Sequence, residues 1–101
     1  MPIIIDKIKL KSTAHRAQFE QWVTDTDYVA CRDLQTVKRF VVSKVHNLDY
    51  DYVEVVSVTS LAEFELETHT PLFQSLVERF TQMADVVETI HADELMPGYQ
   101  W

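Results

Sequence analysis

A chain of 101 residues is long enough for one hydrophobic core and too short for two, so residues 1–101 are read as a single domain. Its apolar share of 47% and charged share of 25% are those of a globular protein, with no segment biased enough to be called disordered. The formal net charge of −7 argues against nucleic acid and anionic membrane as partners, because both are gripped by clustered Lys and Arg.

Residues 2–10, Pro-Ile-Ile-Ile-Asp-Lys-Ile-Lys-Leu, are rich in β-branched side chains and alternate after Ile5, which reads as a first strand. Ile4, Asp6, Ile8 and Leu10 share one of its faces. Thr13 is placed to cap a helix from about Ala14, with Phe19, Trp22, Val23, Thr26 and Ala30 on its inner side. Around Asp25-Thr26-Asp27-Tyr28 poor helix formers predict that this helix loosens before a last turn near Leu34. Thr36 to His46 is a second strand, Asn47 to Asp51 a short polar connection, and Tyr52 to Thr59 a third strand. Ser60 with Glu63 forms a capping box for a helix from Leu61. That helix breaks at Thr68-His69-Thr70-Pro71 and restarts at Pro71 under a Thr70 cap. It then runs to about Met83 with Leu72, Phe73, Leu76, Val77 and Phe80 on one side. Val86 to about Asp93 is a fourth strand, and Pro97-Gly98 marks a turn in an aromatic tail expected to pack on its own pocket mouth or on a partner subunit.

The order βαββαβ predicts an α+β, ferredoxin-like fold: a four-stranded antiparallel sheet with the helices on one face. Several strands are apolar in both parities, as in Ile3-Ile4-Ile5, Phe40-Val41-Val42 and Val55-Val56, where a solvated face would alternate cleanly. A homodimer in which two sheets meet as a dimeric α+β barrel is therefore expected.

His69, at an irregular joint, is the sharpest candidate for proton transfer, because imidazole titrates near neutrality. Asp6 shares the parity of Ile4 and Ile8, so its carboxylate is carried toward the cavity between sheet and helices, where burial would raise its pKa. Glu54 lies on the strand beside it and can approach Asp6, or it can pair with Lys7 or Lys44 instead. His69, Asp6 and Glu54 are thus the candidate catalytic set. Tyr28 and Asp27 either line the same pocket or satisfy backbone donors at the helix end, Arg39 suits a substrate carboxylate or a cross-strand ion pair, and Trp22, Phe64 and Phe73 offer faces to a flat ligand.

Histidines 15, 46, 69 and 91 show no metal-binding spacing, and Gly98, the single glycine, leaves no phosphate-cradling loop or dinucleotide fingerprint. Neither metal nor cofactor is expected. Cys31 has no cysteine to pair with, the N-terminus lacks a signal-peptide pattern, and no apolar run nears the ~20 residues of a membrane helix, so a soluble cytoplasmic protein is expected.

Three segments carry a likeness: Trp22-Val23-x-x-Thr26-Asp27-Tyr28, Asp51-Tyr52-Val53-Glu54-Val55 and Asp93-Glu94-Leu95-Met96-Pro97-Gly98-Tyr99-Gln100-Trp101. With them the chain resembles the RedY/HapK-like proteins, dimeric α+β barrels. The resemblance implies a gene product of prodigiosin-type tripyrrole or bis-indole biosynthesis, and no cofactor. The wider superfamily holds metal-free oxygenases and cyclases, several with a histidine where the second helix breaks. His69 matches that place, with the usual histidine-proline order altered to His69-Thr70-Pro71. Two functions stay open. One is acid–base catalysis of condensation or cyclisation on an aromatic pyrrole- or indole-type metabolite. The other is a noncatalytic accessory role that protects such an intermediate or steadies other biosynthetic enzymes.

Overall fold

The computed structural model describes residues 1–46 and 48–101. Asn47, where the connection between the second and third strands was expected to start, lies outside them. Four strands, β1 (Pro2–Leu10), β2 (Val37–Lys44), β3 (Tyr52–Val58) and β4 (Ala84–Asp93), form one antiparallel sheet in the order β2-β3-β1-β4. With the helices between β1 and β2 and between β3 and β4, this is the ferredoxin-like fold.

Three helical segments begin where a hydroxyl satisfies an orphan backbone N–H. At the first one the cap is Ser12, not Thr13: Ser12 Oγ accepts from the Ala14 N–H at 3.2 Å, and Thr13–His15 makes a tight turn that leads into α1 (Arg16–Trp22). The loosening expected near Asp25 is a wide π turn over Val23–Asp27, followed by α2 (Tyr28–Ala30). Ser60 accepts from the Glu63 N–H at 3.1 Å at the start of α3 (Leu61–Glu67). Thr70 accepts from the Phe73 N–H at 3.4 Å at the start of α4 (Pro71–Met83), which passes into β4 at Ala84, two residues earlier than the pattern suggested.

A polar network pins α1 to the sheet. Tyr52 Oη donates to Glu20 at 2.7 Å and accepts from Arg16 at 3.2 Å, Arg16 also pairs with Asp51 at 3.0 Å, and Lys44 pairs with Glu20 at 3.0 Å. Burial and the Glu20 hydrogen bond hold the Tyr52 phenol well above its ordinary pKa, so it stays a donor.

The sheet face under the helices is dry at both ends and not in the middle. One core cluster gathers Ile8, Leu10, Phe19, Val23, Tyr52, Met83 and Ala84, and a second gathers Ile4, Val56 and Val58. Between Ile4 and Ile8 in β1 stands Asp6, and between Tyr52 and Val56 in β3 stands Glu54, so a row of acids divides the core.

The opposite face is uncovered. Strand register lines up Val41, Val55, Ile5 and Ile90 in one apolar row across all four strands. The tail does not pack on its own pocket mouth. Gly98 takes the left-handed φ of 72° its turn requires, and beyond it Tyr99 and Trp101 stand fully in solvent.

Candidate active site

Between the sheet and α3 and α4 lies a cavity of about 510 Å³, within the usual size range of small-molecule sites. Trp22, Phe40, Phe64, Phe73 and Phe80 give it aromatic walls, and Phe64 and Phe73 meet edge to face with centroids 5.5 Å apart. Five elements bring carboxyl groups to it: Asp6 from β1, Glu54 from β3 and Asp27 from the π turn, with Glu65 from α3 and Asp85 from β4.

Asp6 and Glu54 are direct cross-strand partners, and Thr89 of β4 stands on the other side of Asp6. Like charges placed opposite one another in a sheet are unfavourable, and a shared proton removes the repulsion. Burial, then a hydrogen bond to Asp6, then the charges of Asp6 and Asp27 push the Glu54 carboxyl well above its ordinary range. Glu54 is therefore the protonated partner and Asp6 the acceptor, and Thr89 Oγ1 donates to Asp6 Oδ1 at 2.7 Å. Asp27 lies half-buried at the π turn, whose extra residue per turn re-aims the side chains that follow. Burial raises it to about 6, close to where a general base works best. Cys31, beside it, is driven the other way from reactivity: burial and the charges of Asp27 and Glu54 raise its thiol to about 11, so it remains protonated.

A model of the REDY-like protein HapK family matches residues 2–95. The chain belongs to this family. It is 40% identical to HapK from Hahella chejuensis, whose crystal structure superposes with a TM-score of 0.94, covering 100% of this chain and 99% of that one. More distant structures share the fold alone. SnoaB, a cofactor-independent oxygenase from Streptomyces nogalater, is 17% identical with a TM-score of 0.74, covering 96% of this chain and 97% of its own. The hydroxynitrile lyase from Passiflora edulis is 14% identical with a TM-score of 0.71, covering 95% of each chain. Comparison with curated protein sequences gives no match.

Within this HapK-family chain, Asp6, Glu54, Trp22, Phe64 and Phe73 meet in one cavity. Three other candidates stand apart from it. His69 lies outside the cavity wall, its side chain 72% exposed and its ring 3.5 Å from Glu65. The reason is local: the His69 N–H bonds Leu66 O and the Thr70 N–H bonds Glu67 O, so the break is a continued tight turn that leaves position 69 exposed. Tyr28 is held by the sheet, its Oη accepting from the Val42 N–H at 2.9 Å, so it fixes the second half of the first helix and leaves the cavity to Asp27. Arg39 pairs in register with Ser57 and so stands on the other sheet face from Phe40 and Val56, exposed, and makes no ion pair among the described residues. Lys7 and Lys44, the alternative partners for Glu54, are bound to Glu88 and Glu20.

Of the two readings open for Asp27, lining this pocket or satisfying backbone donors at the helix end, the structure takes the first, and the π turn carries it there. One cavity histidine was not offered as a site residue. His91 lines the cavity from β4, opposite Ile4. Its alternation with Thr89 in a strand paired to β1 is the one signal that places it there. Among the described residues, no group of three or more His, Cys, Asp and Glu side chains is arranged to hold a metal ion, and no helix is long and apolar enough to cross a membrane.

Proposed function

We propose that this protein works in secondary-metabolite biosynthesis as a cofactor-free acid–base catalyst. It binds a flat pyrrole- or indole-type intermediate, as in prodigiosin-like pathways, and assists its condensation or cyclisation. The observation that carries this is the Asp6–Glu54 pair, with the Glu54 carboxyl held protonated against Asp6, inside an aromatic cavity. A protonated acid beside acceptor carboxylates supplies both roles of acid–base catalysis. Glu54 gives its proton to the ligand's carbonyl oxygen or to its leaving group. Asp27 or Asp6 takes one from the reacting ring, and relaxation of the proton among the three restores the starting state. His69, outside the wall, has no part in the proton path on this reading.

The uncovered apolar row through Val41, Val55, Ile5 and Ile90 supports a homodimer, the two sheets packing face to face. Metabolite extracts from producing cells, with wild-type protein or Glu54→Gln, test the chemistry. The variant should accumulate an intermediate that purified wild-type protein converts. Conversion at an unchanged rate without the protein would leave the noncatalytic, intermediate-protecting role in its place.

A further inference from the structure

The cavity's charge is one-sided. Its titratable lining is Asp6 on β1, Glu54 on β3, Asp27 with Cys31 by the π turn, Glu65 on α3, and Asp85 and His91 on β4, while α1, β2 and α4 add no titratable group. No Lys or Arg stands in that lining. Nearby cations are spent elsewhere: Lys7 on Glu88, Arg16 on Asp51 and Lys44 on Glu20, while Lys11 neutralises Asp85 at the rim at 3.0 Å. Apart from the exposed Glu65, whose neighbour is His69, what remains unneutralised is the Asp6–Glu54–Asp27 group, facing aromatic walls.

We propose that the ligand of this cavity carries a positive charge on nitrogen at neutral pH. It is a flat aromatic amine, amidine or protonated imine, seated with its cationic end on the Asp6–Glu54–Asp27 group and its ring against Trp22, Phe64 and Phe73. This rests on the reading of the cavity as an aromatic-metabolite site and adds the ligand's charge. An anionic ligand would meet two ionised carboxylates with no counter-charge in a poorly solvated space, where like charges repel strongly. A neutral ring gains the walls and nothing from the acids. A cation gains both, and by relieving the repulsion it allows Glu54 to ionise, so its binding releases a proton.

Three indoles of similar size separate these cases by calorimetric titration of the wild-type protein at pH 7.5: tryptamine, 3-methylindole and indole-3-propionate. Tryptamine should bind at least about tenfold more tightly than 3-methylindole, and indole-3-propionate the most weakly. Tryptamine keeps its charge from pH 5 to 8, yet its affinity should rise across that range as Asp27 ionises and Glu54 gives up its proton more readily. Asp27→Asn should weaken tryptamine toward 3-methylindole and leave 3-methylindole unchanged. Equal or tighter binding of the neutral or anionic indole, or a tryptamine affinity flat with pH, overturns the charge assignment and leaves the aromatic site standing. If none of the three binds at millimolar concentration, the aromatic site itself is refuted, and this inference with it.

Discussion

Asp27 offers a direct test of how the site is built, because its burial should cost stability in a pH window that can be stated beforehand. In the folded chain its carboxyl titrates at about 6, raised by burial from 3.8. Below pH 4 the folded and unfolded chains both hold the proton, and burial costs nothing. From about pH 4 to 6 the unfolded chain releases a proton that the folded chain keeps, and stability falls by about 1.4 kcal/mol per pH unit. Above about pH 6 both are ionised, and the folded state carries the full cost of about 3 kcal/mol, a large part of the 5–15 kcal/mol typical of a domain. Asparagine has the same shape and cannot ionise. Asp27→Asn should therefore match wild type near pH 4, gain through pH 6, and be more stable by up to about 3 kcal/mol at pH 8. Urea unfolding followed by circular dichroism at pH 4, 6 and 8, at one fixed protein concentration, measures this. A variant no more stable than wild type at pH 8, or a gain that does not grow with pH, would refute the placement of Asp27 as a buried, cavity-facing acid.

The other predictions concern the pair, the helix break and the bare face. Glu54→Gln and Asp6→Asn should each lower turnover of the accumulated intermediate by ~10²- to 10⁴-fold, read from single-turnover product formation, with the fold intact by circular dichroism. His69→Ala should leave that turnover within about twofold and the melting temperature nearly unchanged, since an exposed ring beside an exposed glutamate is worth well under ~1 kcal/mol; a large loss would put the proton path through the helix break after all. Light scattering after size exclusion should give twice the 11.8 kDa chain mass, and Ile5→Lys, which sets a charge in the middle of the apolar row, should dissociate the dimer or unfold it; a wild-type monomer at all concentrations removes the sheet-on-sheet packing.

Much of this was legible in the chain because it rests on short-range rules. Strand β1 shows the bounds its β-branched run predicts, and the Ser60 and Thr70 caps sit where hydroxyls precede helical patterns. The facing of Asp6 followed from parity alone, and the order of elements put β3 beside β1, so Glu54 came within reach of it. The misplaced residues depend on finer geometry. His69 stands out in the sequence because it sits at an irregular joint between two helical segments, yet hydrogen bonds from residues 69 and 70 back to Leu66 and Glu67 carry the turn on and leave it exposed. Arg39 faces the other side of the sheet because β2 shifts register against β3 between Val37 and Arg39, and no residue pattern announces a bulge. The C-terminal aromatics are apolar enough to predict burial, but in a single chain they have nothing to pack on.

The acids in the cavity run against what stability alone would select. Asp6 and Glu54 take central strand positions between Ile4 and Ile8 and between Tyr52 and Val56, where a valine at each would join the two core clusters into one. Asp27 completes the group only because five residues of the first helix widen into a π turn, a geometry less favourable than the α-helix it interrupts and often found at functional sites. Three separate departures, two in strands and one in a helix, converge on the same few ångströms. Each carries an energetic cost, and none contributes to the packing around it. A fold that tolerates one such departure shows only slack, whereas convergence of three on an aromatic cavity is the pattern expected where local rules are broken for chemistry. Hence the prediction that Asp27→Asn stabilises the protein belongs with the prediction that the same change weakens a cationic ligand: the buried charge that costs the fold is the charge that holds the ligand.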